Sequence, residues 1–297
     1  MKKVIKSALK SAGIEINRIP QKKISQREND LLPIFDEPLA ALAYEHAGHK
    51  AAFNCPLKLT LKSNGLSYSP DSYHPFVETL KEYESGKITT YEGSLLESYY
   101  RTHQPYNAAE AIIGFDKSPE FFKSQPAHIY WLSPWRPDDA QAVDKIVKEF
   151  TKKHSISHGE VEMTLESDGY QYHGPVSEKK GRLEYQRLVR VFESIRKNGY
   201  DRSLGHAHFL VLKRGSSIRY LAQGSGNHRI AAMSALGYET VPALFQKSGV
   251  IDVEMAQFWV QVQKNVWSLD QAVAYFNYLF DFDSRAWAFN QGLLHLQ

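Results

Sequence analysis

The stretch "LAQGSGNHRIAAMSALGYETVPALF", residues 221–245, contains the pattern that decides the fold. An apolar run leads into Gly224, Ser225 and Gly226, and Asn227 then opens an Ala-rich segment. A glycine-rich loop between a strand and the N-terminus of a helix exposes backbone N–H groups in a concave cradle that suits phosphate oxygens. The stretch therefore predicts a strand, a phosphate-binding loop and a short helix.

Two basic side chains, His228 and Arg229, stand at the head of that helix. The positive end of the helix dipole disfavours cations in the first turn unless an anion compensates them. Arg229 offers a planar fork of donors and His228 a further donor, which are groups that bind phosphate. The alternative is structural, with Arg229 tied to a carboxylate and His228 capping a turn. We favour phosphate and expect it to be held by Gly224, Ser225, Gly226, Asn227, His228 and Arg229.

The segments on either side of this loop alternate between helical and strand patterns. The predicted order is helix, strand, strand, helix and strand, over residues 184–197, 207–213, 218–224, 228–237 and 241–245. This order predicts an α+β fold with a small mixed sheet.

Two other stretches, residues 55–69 and 161–174, resemble each other and predict β-hairpins with Asn-Gly and Asp-Gly turns. In the first, leucines alternate with Lys58, Thr60 and Lys62, which are predicted to share the polar face. At a constant offset of 104, the identical pairs are Thr60 and Thr164, Leu61 and Leu165, Ser63 and Ser167, Gly65 and Gly169, and Tyr68 and Tyr172. Either the chain contains an internal duplication, or such hairpins look alike for physical reasons.

Composition limits the function classes. The chain has 297 residues, of which 42% are hydrophobic, so it can bury a substantial core. A net charge of +3 is too small to indicate nucleic-acid binding, and DNA is not expected as a partner. The single cysteine, Cys55, excludes an intramolecular disulfide and fits a cytoplasmic location.

The N-terminal segment, residues 1–31, begins with the pattern of a basic amphipathic helix and continues as a polar linker. The first 20 residues also resemble the N-termini of bacterial glycan-modifying enzymes. One interpretation is peripheral contact with an anionic membrane at its inner face. The other is a solvated helix packed on its own domain.

The run "GSGNHRIAAMSALGYETVPALF" and the helix and hairpin before it resemble the ParB/sulfiredoxin superfamily. The superfamily shares a G-x-H-R or G-x-R-R loop, a helix ending in Leu-Gly and a following Val-Pro strand. The likeness covers residues 173–247 and implies that residues 226–229 hold nucleotide phosphates.

Departures from the superfamily narrow the chemistry. Asn227 stands where sulfiredoxins have their reactive cysteine, which disfavours reduction of sulfinic acids. No basic recognition helix follows, which disfavours the DNA-partition function of ParB proteins. Free-serine kinases of the superfamily have Asp-Gly before the His-Arg pair, where Ser225 replaces the aspartate. Their glutamate base lies ahead of the first helix, which makes Glu178 and Glu184 the catalytic candidates.

Other polar residues near this region have two interpretations each. Lys179, Lys180 and Arg182 either guide an anionic substrate or form a solvated charge run. His154, His158 and His173 lack a tight metal-ligand spacing and are predicted to be scattered surface histidines.

With this resemblance, the chain divides into residues 1–31, an N-terminal α+β domain over 32–153, a ParB/sulfiredoxin-like nucleotide-binding domain over 154–248 and a helical extension over 249–297. We expect phosphoryl transfer from ATP, or another nucleoside triphosphate, with Mg²⁺, to a small-molecule or glycan hydroxyl, as in cell-surface polysaccharide biosynthesis. One alternative is a non-catalytic scaffold that responds to nucleotide. Another is a ParB-like DNA-binding or nuclease module, which the mild net charge disfavours.

Overall fold

A computed structural model describes residues 32–156 and 162–294, and for residues 247 and 248 the backbone only. The N-terminal segment over residues 1–31, predicted to contact a membrane, lies outside the described residues. Within the described ranges, no helix has the length and apolar character needed to cross a bilayer.

The described chain contains both helices and strands, and the fold is mixed α+β as predicted. The strands are β1 (Ile34–Phe35), β2 (Ala52–Pro56), β3 (Thr60–Leu61), β4 (Ala207–Arg214), β5 (Ser217–Gln223) and β6 (Thr240–Asp252). The helices are α1 (Pro38–His46), α2 (Pro75–Glu84), α3 (Leu95–Thr102), α4 (Glu120–Lys123), α5 (Ala140–Ile156), α6 (Leu165–Asp168), α7 (Glu178–Asn198), α8 (Asn227–Ala235), α9 (Val260–Gln263), α10 (Leu269–Asp281) and α11 (Ser284–Asn290). Short 3₁₀ helices cover Leu57–Leu59, Ala127–Trp131, Arg202–Leu204 and Val253–Phe258.

The six strands form one sheet in the order β1-β2-β6-β4-β5-β3. Strands β4 and β5 are an antiparallel hairpin, and β6 returns through α8 to lie parallel to β4. Strand β2 pairs antiparallel with β6, and β3 pairs parallel with β5. Strands from the 32–153 and 154–248 segments therefore share one sheet, and the predicted boundary between residues 153 and 154 falls inside α5.

Both faces of the central strands are covered. Along β4, Phe209 and Val211 belong to one hydrophobic cluster, and Leu210 and Leu212 belong to the other. This alternation follows from the two-residue period of a strand, and it explains why β4 reads as a nearly continuous apolar run. Helices α2, α7 and α8 contribute to the first cluster, and α10 contributes to the second.

Several predicted elements are confirmed. Strands β4 and β5 and helix α8 lie within one or two residues of their predicted bounds. In the predicted helical extension, Ser268 caps α10 in a capping box with Gln271, and the apolar stripe of α10 is buried. Local signals, a cap or a strand period, were strong at each of these positions.

Other predicted elements are wrong. The second hairpin is absent in the region after residue 161, because residues 165–168 form α6 with Thr164 as its N-cap. Of the first hairpin, only a tight turn with a single bridge between Leu61 and Ser67 forms. Strand β6 continues to Asp252, beyond the predicted start of the helical extension.

Candidate functional site

The predicted loop between β5 and α8 has the expected position at a helix N-terminus. We call residues 224–226 the glycine loop. Gly224 and Ser225 are exposed, and Gly226 occupies the N-cap of α8 with φ +102°. A Cβ on Gly226 would lie 2.9 Å from the Cα of Ala207, so both the backbone conformation and the close approach require glycine. Because Gly226 has no side chain, the N-cap supplies no oxygen to the N–H groups of the first turn.

Asn227, the first residue of α8, has its side chain inside the protein. Its Oδ1 accepts hydrogen bonds from Tyr68 Oη at 2.9 Å and Lys62 Nζ at 3.2 Å. Its Nδ2 donates to Tyr172 Oη at 2.7 Å and to the carbonyl of Gly224 at 2.9 Å. Both ends of the amide are therefore used by the protein, and Asn227 fixes the glycine loop rather than facing a ligand.

His228 packs inward from the first turn of α8. Its ring stacks on Phe76 of α2, with centroids 5.1 Å apart. Its Nε2 lies 3.2 Å from Oε2 of Glu184, which is on α7. The predicted loop histidine and one predicted catalytic glutamate are therefore in direct contact.

Glu184 is the buried centre of a group that we call the Glu184 cluster, which comprises Glu184, Lys180, Arg187, His154 and His228. The carboxylate has no exposed surface. Its Oε1 lies 3.1 Å from Lys180 Nζ and 3.5 Å from His154 Nδ1, and its Oε2 lies 3.2 Å from Arg187 Nη1. Lys180 and Arg187 reach it because residues three or four apart share one face of helix α7.

The electrostatics of the cluster favour an ionised Glu184. Burial alone would raise the pKa of the carboxyl, but the close contact with His228 and the charges of Lys180 and Arg187 hold that pKa well below its usual range. Burial lowers the pKa of His154 to about 3. It also lowers the pKa of His228, against the opposing effect of Glu184. Both imidazoles are therefore neutral at pH 7.

At that pH the cluster has a surplus of positive charge, since Lys180 and Arg187 face a single carboxylate. Lys180 is almost fully buried, so its charge is weakly screened by solvent. His228 belongs to both the cluster and the first turn of α8, so the cluster contacts the helix that begins directly after the glycine loop. The arrangement can stabilise an anion at the loop.

Arg229 does not extend freely beyond the glycine loop. Its guanidinium donates to the carbonyl of Leu204 at 3.0 Å and also to the carbonyl of Gly205. These bonds anchor the loop that precedes β4. The structural alternative for Arg229 was a bond to a carboxylate. In the structure the acceptors are backbone carbonyls instead.

Glu178 lies on the surface, and the prediction of a loop at this position is wrong. Helix α7 begins at Glu178, with Ser177 as its N-cap, six residues before the predicted start. The sequence suggested a loop because the run "SEKKGR", residues 177–182, is rich in charged residues. Gly181 is required inside the helix because a Cβ there would lie 2.2 Å from the ring of Tyr91.

The three residues predicted to guide substrate separate in the structure. Lys179 is exposed, and Lys180 is buried against Glu184. Arg182 is exposed and forms ion pairs of 2.5 Å with Glu178 and with Glu92. The three residues therefore lie on different faces of α7. Only Lys180, on the buried face, belongs to the Glu184 cluster.

The predicted surface histidines are not on the surface where the structure describes them. His154 is part of the Glu184 cluster, and His173 is buried with its Nδ1 2.9 Å from the carbonyl of Gly174. His158 lies outside the described residues. Among the described residues, no group of three or more His, Cys, Asp or Glu side chains is arranged to hold a metal ion.

Sequence reasoning missed Lys62, which was predicted on the polar face of a hairpin but is only 2% exposed. It also missed the roles of Tyr68 and Tyr172, whose hydroxyls bond the two ends of the Asn227 amide. The repeat contained a signal, because these tyrosines are equivalent at the offset of 104 residues. Their equivalent positions in the repeat could have suggested that both tyrosines contact the same residue, which is Asn227.

Comparison with known proteins gives no independent assignment: no family model, no curated protein and no solved structure matches the chain.

Proposed function

We propose that this protein binds a nucleotide by its phosphates at the glycine loop and the first turn of α8. We further propose that it transfers a phosphoryl group from the nucleotide to a hydroxyl of a small molecule or glycan. A ParB/sulfiredoxin-like arrangement of residues 173–247 is part of this proposal. Its support is the order of elements, a helix, the β4–β5 hairpin, the glycine loop, α8 and β6.

The observation that carries the binding proposal is the surplus positive charge of the Glu184 cluster beside an exposed glycine loop. A phosphate at this position would meet backbone N–H groups of the first turn, the exposed Ser225 and the field of Lys180 and Arg187. Since Asn227 and Arg229 are bonded within the protein, their contribution is to hold the loop in shape.

Phosphoryl transfer depends mainly on positioning and on stabilisation of charge, with a carboxylate that orients the acceptor hydroxyl. Glu184 is poorly suited to that role because its lowered pKa and its cationic neighbours make it a weak base. Glu178 is exposed and is the remaining predicted carboxylate. We therefore propose that Glu178 orients the acceptor hydroxyl. The role of Glu184 in this proposal is to hold Lys180 and Arg187 in position.

Neither glutamate is arranged as a magnesium ligand, since Glu184 is enclosed by basic groups and Glu178 is paired with Arg182. In many nucleotide sites Mg²⁺ takes most of its ligands from phosphate oxygens and water. In this proposal Mg²⁺ would therefore arrive with the nucleotide.

The binding step is tested by charge at Ser225. Ser225→Glu adds a carboxylate to the exposed loop and should weaken ATP binding at least tenfold, or about 1.4 kcal/mol, by repelling the phosphates. Ser225→Gln adds similar bulk without charge and should bind nearly as wild type does. Calorimetric titration with ATP, CTP and GTP measures both. Equal affinities in the two variants, or no binding by wild type, would refute the phosphate site.

The transfer step is tested with γ-labelled ATP and a panel of hydroxyl acceptors. Glu178→Gln should keep nucleotide affinity and lose on the order of 10²-fold in transfer rate, because it removes the group that orients the acceptor. Wild-type transfer that is unchanged by Glu178→Gln would contradict this assignment.

A second candidate, a nucleotide-responsive protein without catalysis, has one observation in its favour. Glu184 is enclosed by Lys180 and Arg187, and Glu178 is paired with Arg182, so both predicted carboxylates are already bound to cations within the protein. Nucleotide binding by wild type with neither transfer nor hydrolysis across the panel would support this candidate over the enzyme.

A further inference from the structure

Lys62 follows β3 and is buried without an acidic partner. Its Nζ donates to Asn227 Oδ1 at 3.2 Å and lies 4.4 Å from the ring centroid of Tyr172 and 5.7 Å from that of Trp131. In the parts of the chain that the structure describes, no carboxylate oxygen lies within 4.0 Å of it. A buried ammonium without a counter-ion is costly, which makes this position unusual.

A second buried lysine provides a comparison within the same chain. Lys180 is 1% exposed and Lys62 is 2% exposed, so solvent is excluded equally from both. Lys180 has the carboxylate of Glu184 at 3.1 Å, whereas Lys62 has a neutral amide and two aromatic faces. The two residues therefore differ in charge pairing and not in burial.

Lys62 also lines a cavity of about 170 Å³. The wall includes Trp131, the ring that its Nζ approaches, together with Ser63, Ser133 and Gln223. The cavity has room for a small organic molecule but not for a nucleotide, and its hydroxyl and amide groups can hydrogen-bond to a polar guest.

We propose that Lys62 is a nucleophilic amine that condenses with a small aldehyde or ketone held in this cavity. The neutral Nζ attacks the carbonyl carbon, and a proton moves from nitrogen to oxygen to give a carbinolamine. Loss of water then leaves an imine, so that amine and carbonyl compound yield imine and one water molecule. The step needs no oxidant, reductant or nucleotide, and it does not depend on the function proposed above.

The environment supports a neutral amine. Burial lowers the pKa of Lys62 to about 7, so about half of the side chain is unprotonated at pH 7. A lysine with an ordinary pKa is roughly 0.04% unprotonated at that pH. Only the unprotonated amine is nucleophilic. Lys62 therefore has a large fraction of nucleophilic amine, although its burial restricts the access of reactants.

The test uses the full-length wild-type chain at pH 7 with acetaldehyde, glycolaldehyde or pyruvate as probes and cyanoborohydride to reduce any imine to a stable amine. Peptide mapping by mass spectrometry follows the adduct at each lysine. At least one probe should modify Lys62 about tenfold faster than the exposed Lys58, while Lys180 stays unmodified. In urea the rates at the three lysines should become equal, because the difference depends on the fold.

Modification of Lys62 no faster than Lys58 with all three probes would overturn the proposal, as would equal reaction at Lys62 and Lys180. Lys62→Arg keeps a cation near Asn227 and should abolish the fast-forming adduct while leaving the slow surface adducts. Because the wild-type map compares lysines within one folded molecule, the proposal remains falsifiable if this variant does not fold.

Discussion

Replacing Glu184 by glutamine should be among the most destabilising conservative changes in this chain. The carboxylate lies within 3.5 Å of Lys180, Arg187, His154 and His228 and has no contact with solvent. An amide has one acceptor oxygen, so its NH₂ group would face a lysine or arginine donor. The variant would also leave the buried Lys180 and the partly exposed Arg187 without their counter-ion.

Breaking a buried ion pair by removing one partner typically costs about 3–5 kcal/mol. We expect a loss of that size in the free energy of unfolding of Glu184→Gln, measured by urea denaturation at pH 7. The control is Glu178→Gln, the same substitution on the same helix at a side chain that is 67% exposed. Its unfolding midpoint should equal that of wild type.

The difference should depend on pH with a defined sign. The pKa of Glu184 is lowered in the folded state, so its stabilising contribution is complete above the unfolded value near 4.5 and is lost as pH falls through the folded value. The gap between wild type and Glu184→Gln should be constant from pH 5 to 7 and shrink in more acidic solution. If the two glutamine variants unfold at the same urea concentration, Glu184 is not the electrostatic centre described here.

The remaining predictions concern the glycine loop and its anchor. Gly224→Ala should cost about 1–2 kcal/mol for its φ of +58° alone, whereas Gly226→Ala should cost clearly more because its Cβ would also contact Ala207 at 2.9 Å. Equal unfolding free energies for the two variants would contradict the close approach. Arg229→Ala should lower stability by about 1.5–3 kcal/mol through loss of its bonds to the carbonyls of residues 204 and 205. A wild-type urea midpoint would show that this anchor is unimportant.

The sequence was most informative where local rules and tertiary packing agree. The glycine loop, α8 and the β4–β5 hairpin follow from strand period, glycine positions and helix ends, and these signals act over a few residues. The prediction of the second hairpin was wrong because Thr164 can cap a helix as well as precede a turn. In the structure it caps α6. The Asp-Gly pair alone could not distinguish these outcomes.

At the candidate site, the sequence predicted the course of the backbone, a strand, a loop and a helix, but it did not predict the side-chain contacts. Proximity of Glu184 to His228 depends on how α7 packs against α8, which is a long-range property. The prediction that Lys62 lies on a polar face was wrong. Alternation along a strand assigns a residue to one face, but it does not show what packs against that face. Here the segments that contain Asn227 and Trp131 cover Lys62. Burial of a lysine is rare enough that the polar interpretation was the natural one.

The pairing of β2 with β6 has a consequence for how the chain reaches its native state. Phe53 aligns with Ala243 and Cys55 with Val241, so β2 pairs with a strand that is synthesised much later than β2 itself. Contacts so distant in sequence slow folding, because a long loop must close before they contribute. Until then the apolar residues of β2 lack their neighbours, and an emerging chain is exposed to aggregation through them. A fragment that ends at residue 153 would stay in that condition permanently.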